Sequence, residues 1–432
     1  MSNEPLIAFV APPFAGHLFP LLQMATGIRD SGIQNLKFYS TPEAGPAIEA
    51  SGFQWTSLLP EHSHQVTQIS DTRSRVGSNP VRLYRQFKMN LNLMDQLKRE
   101  IKTDWKYRKP DLVIADFTVP IAGIAALEMG VRWWTSMPTP CVLETGEETP
   151  SYLGGWQLPE TWIGRTRDWA GRRMIRIFKK TIFRIFKNEV QKLGIDSVYR
   201  TDGYERIYSP EKILGLGIQD FEFPRKWPSW FQFIGPLTQS PDLPHAVPVF
   251  QSGKTHVLVT LGTHLGWARQ HAGNLVRQVA SRMPQCVFHY SCGEHKQDGA
   301  ADDSRNRPLN ENSNFSNFFT YPYLPYDQHL KNFDFVIHHG GTGILYSCLQ
   351  NRIPSLVWPQ DYDQFDHAAR LVSHRLGKKL VPNPEIVARD INELLGCSKT
   401  KSQLGRFGEI LDDHNPIDSI VCELRSIFSQ SN

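Results

Sequence analysis

Cysteine is sparse in this chain and scattered where it occurs. Six cysteines, at 141, 286, 292, 348, 397 and 422, form no Cys-x-x-Cys pair. That spacing supports neither a zinc site nor a disulfide framework, and it fits reduced thiols in a cytoplasm. Charge of either sign is nearly balanced: 47 Lys and Arg stand against 43 Asp and Glu, a formal +4. Bulk nucleic-acid binding has no electrostatic basis here, and no zinc-finger, RNP or homeodomain pattern is present. Long apolar runs are missing. The most apolar segment, Asp111–Trp134, is interrupted by Asp116, Pro120 and Glu128 and will not span a membrane. The opening MSNEPLIAFVAPP has no basic start and no long apolar core, so it does not read as a signal peptide. Internal repeats and low-complexity tracts are absent as well. What remains is ordinary globular composition, 40% apolar and 21% charged, with length enough for two domains.

The most informative stretch runs from Val336 to Leu371. Phe333–Ile337 reads as a strand buried on both faces. It breaks at His338-His339-Gly340-Gly341-Thr342-Gly343, and a helix follows with Ile344, Leu345, Cys348 and Leu349 on one side. Pro354 ends that helix, and a second strand, Ser355–Pro359, leads into Asp361-Tyr362-Asp363-Gln364. A glycine-rich strand-to-helix turn leaves N–H groups unpaired at the positive end of the helix. Gly340, Gly341 and Gly343 have no Cβ to keep an anion away, and the two histidines are expected at the mouth as donors to phosphate oxygens. A carboxylate and an amide at the same edge of the sheet are side chains that read sugar hydroxyls. Phosphate and then sugar in one strand–turn–helix–strand unit points to a nucleotide-sugar site.

This stretch resembles the donor-binding signature of the UDP-glycosyltransferase superfamily, inverting glycosyltransferases of GT-B fold. The resemblance implies that His338 and Gly340, with Gly341, Thr342 and Gly343, hold the diphosphate, and that Asp363 and Gln364 hold the sugar. The turn differs from the plant His-Cys-Gly-Trp-Asn-Ser form. It is similar to the microbial members that modify antibiotics, macrolides or carotenoids. His367 stands near the position where the family often has Asn.

The start of the chain extends the resemblance. Leu6–Val10 reads as a strand, Ala11–His17 as a loop, the next residues to Arg29 as a helix, and Leu36–Ser40 as a strand. That is the opening of a doubly wound α/β domain, with ligands expected at the carboxyl ends of its strands. His17 lies there. A lone loop histidine is commonly just exposed, or caps a helix. The family, however, has a general-base histidine in a Gly-His-x-x-Pro setting, which Gly16-His17-Leu18-Phe19-Pro20 matches. Imidazole titrates near neutrality, which suits removal of a hydroxyl proton. Asp116, at the end of an expected strand opened by Pro110-Asp111, is the implied partner; capping of the following helix is the other reading.

Ser57–Pro80 is polar and reads as a loop, and Val81–Trp105 as a helix. Phe14, Phe87, Trp134 and Met137 are candidates for an apolar acceptor pocket, on the expectation of aromatics on loops above the sheet, against the alternative that they are core. Arg165–Lys187 holds nine basic residues and one acid, Asp168, beside apolar residues at helical spacing. It reads either as a helix touching a membrane surface or as a solvated amphipathic helix. The four prolines at 236, 241, 244 and 248 mark a linker over 236–255. The domains are thus expected at 1–235 (acceptor) and 256–415 (nucleotide sugar), with the last helix, 416–432, packing back on the first. After the strand Val257–Leu261, the resemblance implicates Thr263 on the diphosphate. Tyr323, in a Tyr-x-Pro that replaces the family's Trp-x-Pro-Gln, would stack on the nucleobase; Tyr326 stands where Gln is usual.

Other classes fit less well. Asp361-Tyr362-Asp363 is a DxD, but the fold that uses DxD for manganese has no such glycine turn. Gly215-Leu216-Gly217 lacks the third glycine of a dinucleotide fingerprint. A sugar-nucleotide epimerase does not need the Gly-His loop, and a non-catalytic scaffold does not need His17, Asp116, His338, Asp363 and Gln364 together. The expected protein is a two-domain GT-B enzyme with two Rossmann-like domains facing a cleft. It would act in the cytoplasm, moving a hexose from a UDP- or dTDP-sugar to a hydroxylated apolar, aromatic or polyketide-like small molecule, with a membrane lipid as the alternative acceptor, without metal or other cofactor.

Overall fold

The computed structural model describes residues 4–70, 80–243, 245–264, 266–293 and 316–429. The chain divides into two compact units, each built on one parallel sheet. The first takes the chain up to Ile69, the stretch on to Leu237 and the segment from Asn415 onward; the second takes Thr238–His414.

In the first unit the order is β1 (Ile7–Val10), α1 (Ala15–Asp30), β2 (Leu36–Ser40), α2 (Gly45–Ala50), β3 (Gln54–Ser57), α3 (Ser63–Ser70), α4 (Pro80–Tyr107), β4 (Leu112–Asp116), α5 (Pro120–Glu128), β5 (Arg132–Met137), α6 (Trp162–Ile185), α7 (Lys187–Lys192), β6 (Lys212–Gly215) and β7 (Phe231–Phe233). The second unit runs β8 (Thr255–Thr260), α8 (Arg269–Ala280), β9 (Cys286–Ser291), β10 (Phe318–Tyr321), α9 (Tyr326–His329), β11 (Phe335–His338), α10 (Thr342–Gln350), β12 (Ser355–Val357), α11 (Gln364–Ser373), β13 (Gly377–Lys379), α12 (Pro384–Gly396) and α13 (Ser398–Asp412). The last helix, α14 (Pro416–Ser429), belongs to the first unit.

The first sheet runs β3-β2-β1-β4-β5-β6-β7 and the second β10-β9-β8-β11-β12-β13. A parallel sheet is covered on both faces, so its central strands must be apolar on both sides. β1 (IAFV) and β4 (LVIAD) are buried at every position. In β5, successive side chains enter opposite layers: Trp133 joins the core with Val10 and Trp105, and Trp134 the core with Ile7 and Leu18. The C-terminal helix completes the second of these layers through Ile420, Val421 and Leu424. It lies so close to α1 that a Cβ on Gly27 would meet Ile417 at 2.6 Å.

Two sequence expectations change here. Trp134 and Met137 do not lie on a loop above the sheet. They are part of β5 and wholly buried, because a central parallel strand offers no exposed face. Ser57–Pro80 is not all loop: Ser63–Ser70 is helical, and residues 71–79 lie outside the described residues.

Each sheet has one place where strand order reverses, between β1 and β4 in the first and between β8 and β11 in the second. The connections there leave in opposite directions, and ligands of such sheets bind in the resulting crevice at the carboxyl ends of the strands.

Candidate active site

At the first reversal, His17 sits in the opening turn of α1, directly after β1, and Asp116 ends β4. Parallel pairing of Val10 with Ala115 sets the two side by side. His17 Nδ1 lies 3.1 Å from both carboxylate oxygens of Asp116. An ionised carboxylate can only accept, so Nδ1 carries the proton and the lone pair is on Nε2. Asp116 is buried, and its Oδ1 also accepts from the Thr118 amide at 2.9 Å and from the Thr118 hydroxyl. The capping reading of Asp116 does not hold: Val119 is the N-cap of α5 and no side chain caps that helix. The imidazole stacks on Phe117 (centroids 5.6 Å apart) and meets the edge of Phe14 at 6.2 Å. A Cβ on Gly16 would find nothing within 4 Å, so space beside the histidine is open. Phe117 and Thr118 escaped the sequence reading. The Asp-x-Thr spacing, which favours a side-chain turn, was the available signal for Thr118.

At the second reversal the turn after β11 is held from three sides. His338 is fully buried, and its Nδ1 accepts from the Gly340 amide at 3.1 Å. Burial pushes its pKa down to about 3, so it is neutral, and Nε2–H donates to Ser355 Oγ at 3.2 Å. This corrects the expectation that His338 stands at the mouth to donate to phosphate. Both its nitrogens are used inside the protein, and it braces the turn. The ring of His339 fills the space beside two glycines, since a Cβ on Gly262 or on Gly341 would collide with it. Gly340 has φ +99°, and a Cβ there would meet Val357 at 3.0 Å and the Gln364 carbonyl at 3.1 Å. His367 bonds the Gly340 carbonyl through Nδ1 at 2.7 Å.

The product of this bracing is an uncapped helix start. Gly341 is the N-cap of α10, with no side-chain cap, and the Leu345 amide is bonded to its carbonyl. The amides of Thr342, Gly343 and Ile344 precede the first intrahelical bond and carry the positive end of the helix dipole. A Cβ on Gly343 would meet nothing within 4 Å, so space beside this turn is open. Thr263 follows Gly262 in the loop after β8, its carbonyl held by Arg269 at 2.9 Å.

The sugar-reading pair is divided between two environments. Asp363 is the N-cap of α11 without a capping bond, and its carboxylate is 24% exposed. Gln364 is buried, and its Oε1 accepts from the amides of Gln360 (2.8 Å) and Asp361 (3.2 Å). Only its amide nitrogen is left for a ligand. Asp361 turns to its own loop and accepts from the Tyr362 amide at 3.0 Å, while Tyr362 adopts φ +55°. Tyr323 is 9% exposed, which leaves little ring face for the expected stacking on a base. Tyr326 bonds Thr260 Oγ1 at 3.0 Å and ties the loop after β10 to β8.

Of the acceptor candidates, the structure brings only Phe14 to the histidine. Phe87 packs on Phe186 at 5.2 Å. Met137 lies in the buried cluster that supports Phe117, and Trp134 is core.

Comparison with known proteins bears on this geometry. No family model matches the chain. The zeaxanthin glucosyltransferase of Pantoea ananas is 21% identical over 98% of both chains. A rabbit (Oryctolagus cuniculus) UDP-glucuronosyltransferase, 2C1, is 29% identical over 75% of this chain and 62% of its own. Among solved structures, the glycosyltransferase of kitacinnamycin superposes with a TM-score of 0.72 at 18% identity, covering 98% of this chain and 99% of that one. A spinosyn rhamnosyltransferase complexed with thymidine diphosphate gives 0.61 at 15% identity, over 98% and 99%. The chain has the GT-B fold, and its relatives are UDP-glycosyltransferases. The GT-B neighbours span both units, so the two sheets and their reversals correspond to the two halves of that fold.

Proposed function

We propose that this chain is an inverting glycosyltransferase. It moves a hexose from a UDP- or dTDP-sugar to a hydroxyl of an apolar, aromatic or polyketide-like small molecule. The observation that carries the reading is the pairing of His17 with buried Asp116 at the carboxyl edge of the first sheet. The open, uncapped start of α10 supports the donor half, and the relatives' names support the acceptor class.

His17 Nε2 takes the acceptor proton as the oxygen attacks the anomeric carbon. The bond from that carbon to the diphosphate breaks, and the nucleotide leaves with the electron pair. Attack opposite the leaving group inverts the configuration. Asp116 keeps Nδ1 protonated in the resting state and stabilises the imidazolium that forms. The amides of Thr342 and Gly343, with Thr263, take the growing charge on the diphosphate; fixed dipoles meet charge without reorganising. Asp363 and the Gln364 amide nitrogen bind sugar hydroxyls. His338 and His367 act by shaping the turn. No metal or cofactor enters this scheme.

The test is transfer from UDP- and dTDP-glucose to a panel holding a hydroxylated carotenoid, a macrolide and a flavonoid. A product one hexose heavier, with the anomeric configuration opposite to the donor, is expected. Retained configuration overturns the mechanism, and nucleotide sugars left intact by every acceptor overturn the function.

A further inference from the structure

The cations of α6 fall into two sets. Arg167, Arg172, Arg176 and Lys179 turn toward the body of the unit. Arg167 binds Asp168, Arg172 the Glu148 carbonyl, Arg176 Glu144, and Lys179 both Glu144 and Glu205. Gly171 lets the helix close on Trp156, which a Cβ would meet at 2.7 Å. These contacts fix the rotation of the helix and so determine what it presents outward.

The outer face carries Arg165, Arg173, Lys180 and Arg184, none of which makes a salt bridge to the described residues. It has no acid, because Asp168, the only carboxylate of the helix, is buried. The exposed side of the same helix also presents large apolar side chains: Trp162 at 74%, Ile177 at 64% and Trp169 at 55%, with Phe178 at 46% toward its edge. Seven of the eighteen exposed large apolar residues among those described lie on this one helix of 24 residues. Exposed Tyr84 of α4, whose ring packs on Phe186 at 5.0 Å, continues the patch past its C-terminal end.

Water suits such cations but not this density of exposed Trp, Ile and Phe. An apolar protein interface would suit the latter and would bury unpaired positive charge at a cost. A bilayer surface with anionic headgroups satisfies both, cations to the phosphates and rings and aliphatic chains to the acyl boundary. No helix among the described residues is long and apolar enough to cross a membrane, so the contact is with the surface. We propose that the outer face of α6 docks this protein on an anionic lipid bilayer, with the helix lying along the membrane plane. The claim stands apart from the transfer reaction, since vesicle binding and turnover can fail independently.

Flotation of the full chain with vesicles tests it, using phosphatidylcholine alone and phosphatidylcholine mixed with phosphatidylglycerol. Binding to the mixed vesicles is expected, with blue-shifted tryptophan emission and release by high salt. The triple variant Arg173→Gln, Lys180→Gln, Arg184→Gln should lose on the order of a hundredfold in partition to them. Ile177→Asp with Phe178→Asp should lose at least about tenfold. Both variants should keep the wild-type melting temperature and UDP affinity, which shows them folded. Failure to float with either vesicle overturns the proposal, as does equal binding to neutral ones. So does a dimer seen by light scattering that Ile177→Asp with Phe178→Asp breaks while no vesicle is bound.

Discussion

His367 Nδ1 lies 2.7 Å from the carbonyl oxygen of Gly340. In a trans peptide the carbonyl and the next N–H point in opposite directions, so holding the Gly340 carbonyl turns the Gly341 amide away from His367. Gly340, at φ +99°, has the freedom to rotate this peptide, and the histidine removes it. On the proposed reading, a side chain bonded to the turn thus decides how well the diphosphate is bound.

His367→Ala should therefore weaken UDP or dTDP binding, measured by calorimetry. Leaving the buried Gly340 carbonyl without its partner costs about 1–3 kcal/mol, or roughly five- to a hundredfold in affinity where binding needs the turn held. His367→Asn can still donate to that oxygen and should recover most of the loss. Equal affinity in all three proteins would mean that something else holds the turn.

Two glycines of the same turn should respond differently to alanine. Gly340→Ala meets Val357 and the Gln364 carbonyl at a positive φ, and should destabilise the protein by about 1–3 kcal/mol. Gly343→Ala meets nothing and lies in the first turn of α10, so the melting temperature should hold or rise. Nucleotide affinity should nonetheless fall in Gly343→Ala, because the methyl group stands in the anion's path. Unchanged affinity in that variant would place the diphosphate elsewhere.

Acid should destabilise the second unit. Burial holds His338 and His289 at a pKa of about 3, with neighbouring histidines adding to the effect. An unfolded histidine titrates near 6.5. Below that pH the unfolded chain binds protons that the folded one refuses. Stability present above pH 6.5 is therefore lost as pH falls toward 3, at up to about 1.4 kcal/mol per pH unit for each histidine. Between pH 7 and 5 the two together amount to roughly 4 kcal/mol. Thermal melts at the two pH values should show a clear drop, and a flat profile would contradict the neutral, buried assignment.

Nucleotide binding should not depend on a divalent cation. If the uncapped start of α10 meets the leaving charge, as proposed, titration with UDP or dTDP should give one affinity with magnesium and with a chelator. A fall of tenfold or more in the chelator would bring the carboxylates of Asp361 and Asp363 back as metal ligands.

Much of this was legible in the sequence because period and punctuation are local. IAFV and LVIAD, short apolar runs beside turn residues, read as buried strands, and glycines between a strand and a helix announce a turn with exposed amides. Sequence distance hid the rest. The separation of 99 positions from His17 to Asp116 is closed by the pairing of β1 with β4, and no spacing rule gives that bond. Trp134 and Met137 looked like pocket walls because the run before Pro138 was read as loop; a strand buried on both faces put them inside. His338 and Gln364 show a subtler limit. Their types suit ligand binding, yet Ser355 and Gly340 take both nitrogens of His338, and the amides of Gln360 and Asp361 take the side-chain oxygen of Gln364. In α6 only the structure could separate the bracing cations from the outward ones.

The most direct test of the central claim measures His17→Ala twice, for hexose transfer and for nucleotide affinity. If His17 is the base that Asp116 orients, transfer should fall by about 10²- to 10⁴-fold while UDP or dTDP binds as in the wild type. Normal turnover by that variant would contradict the assignment of His17, and with it the proposed mechanism.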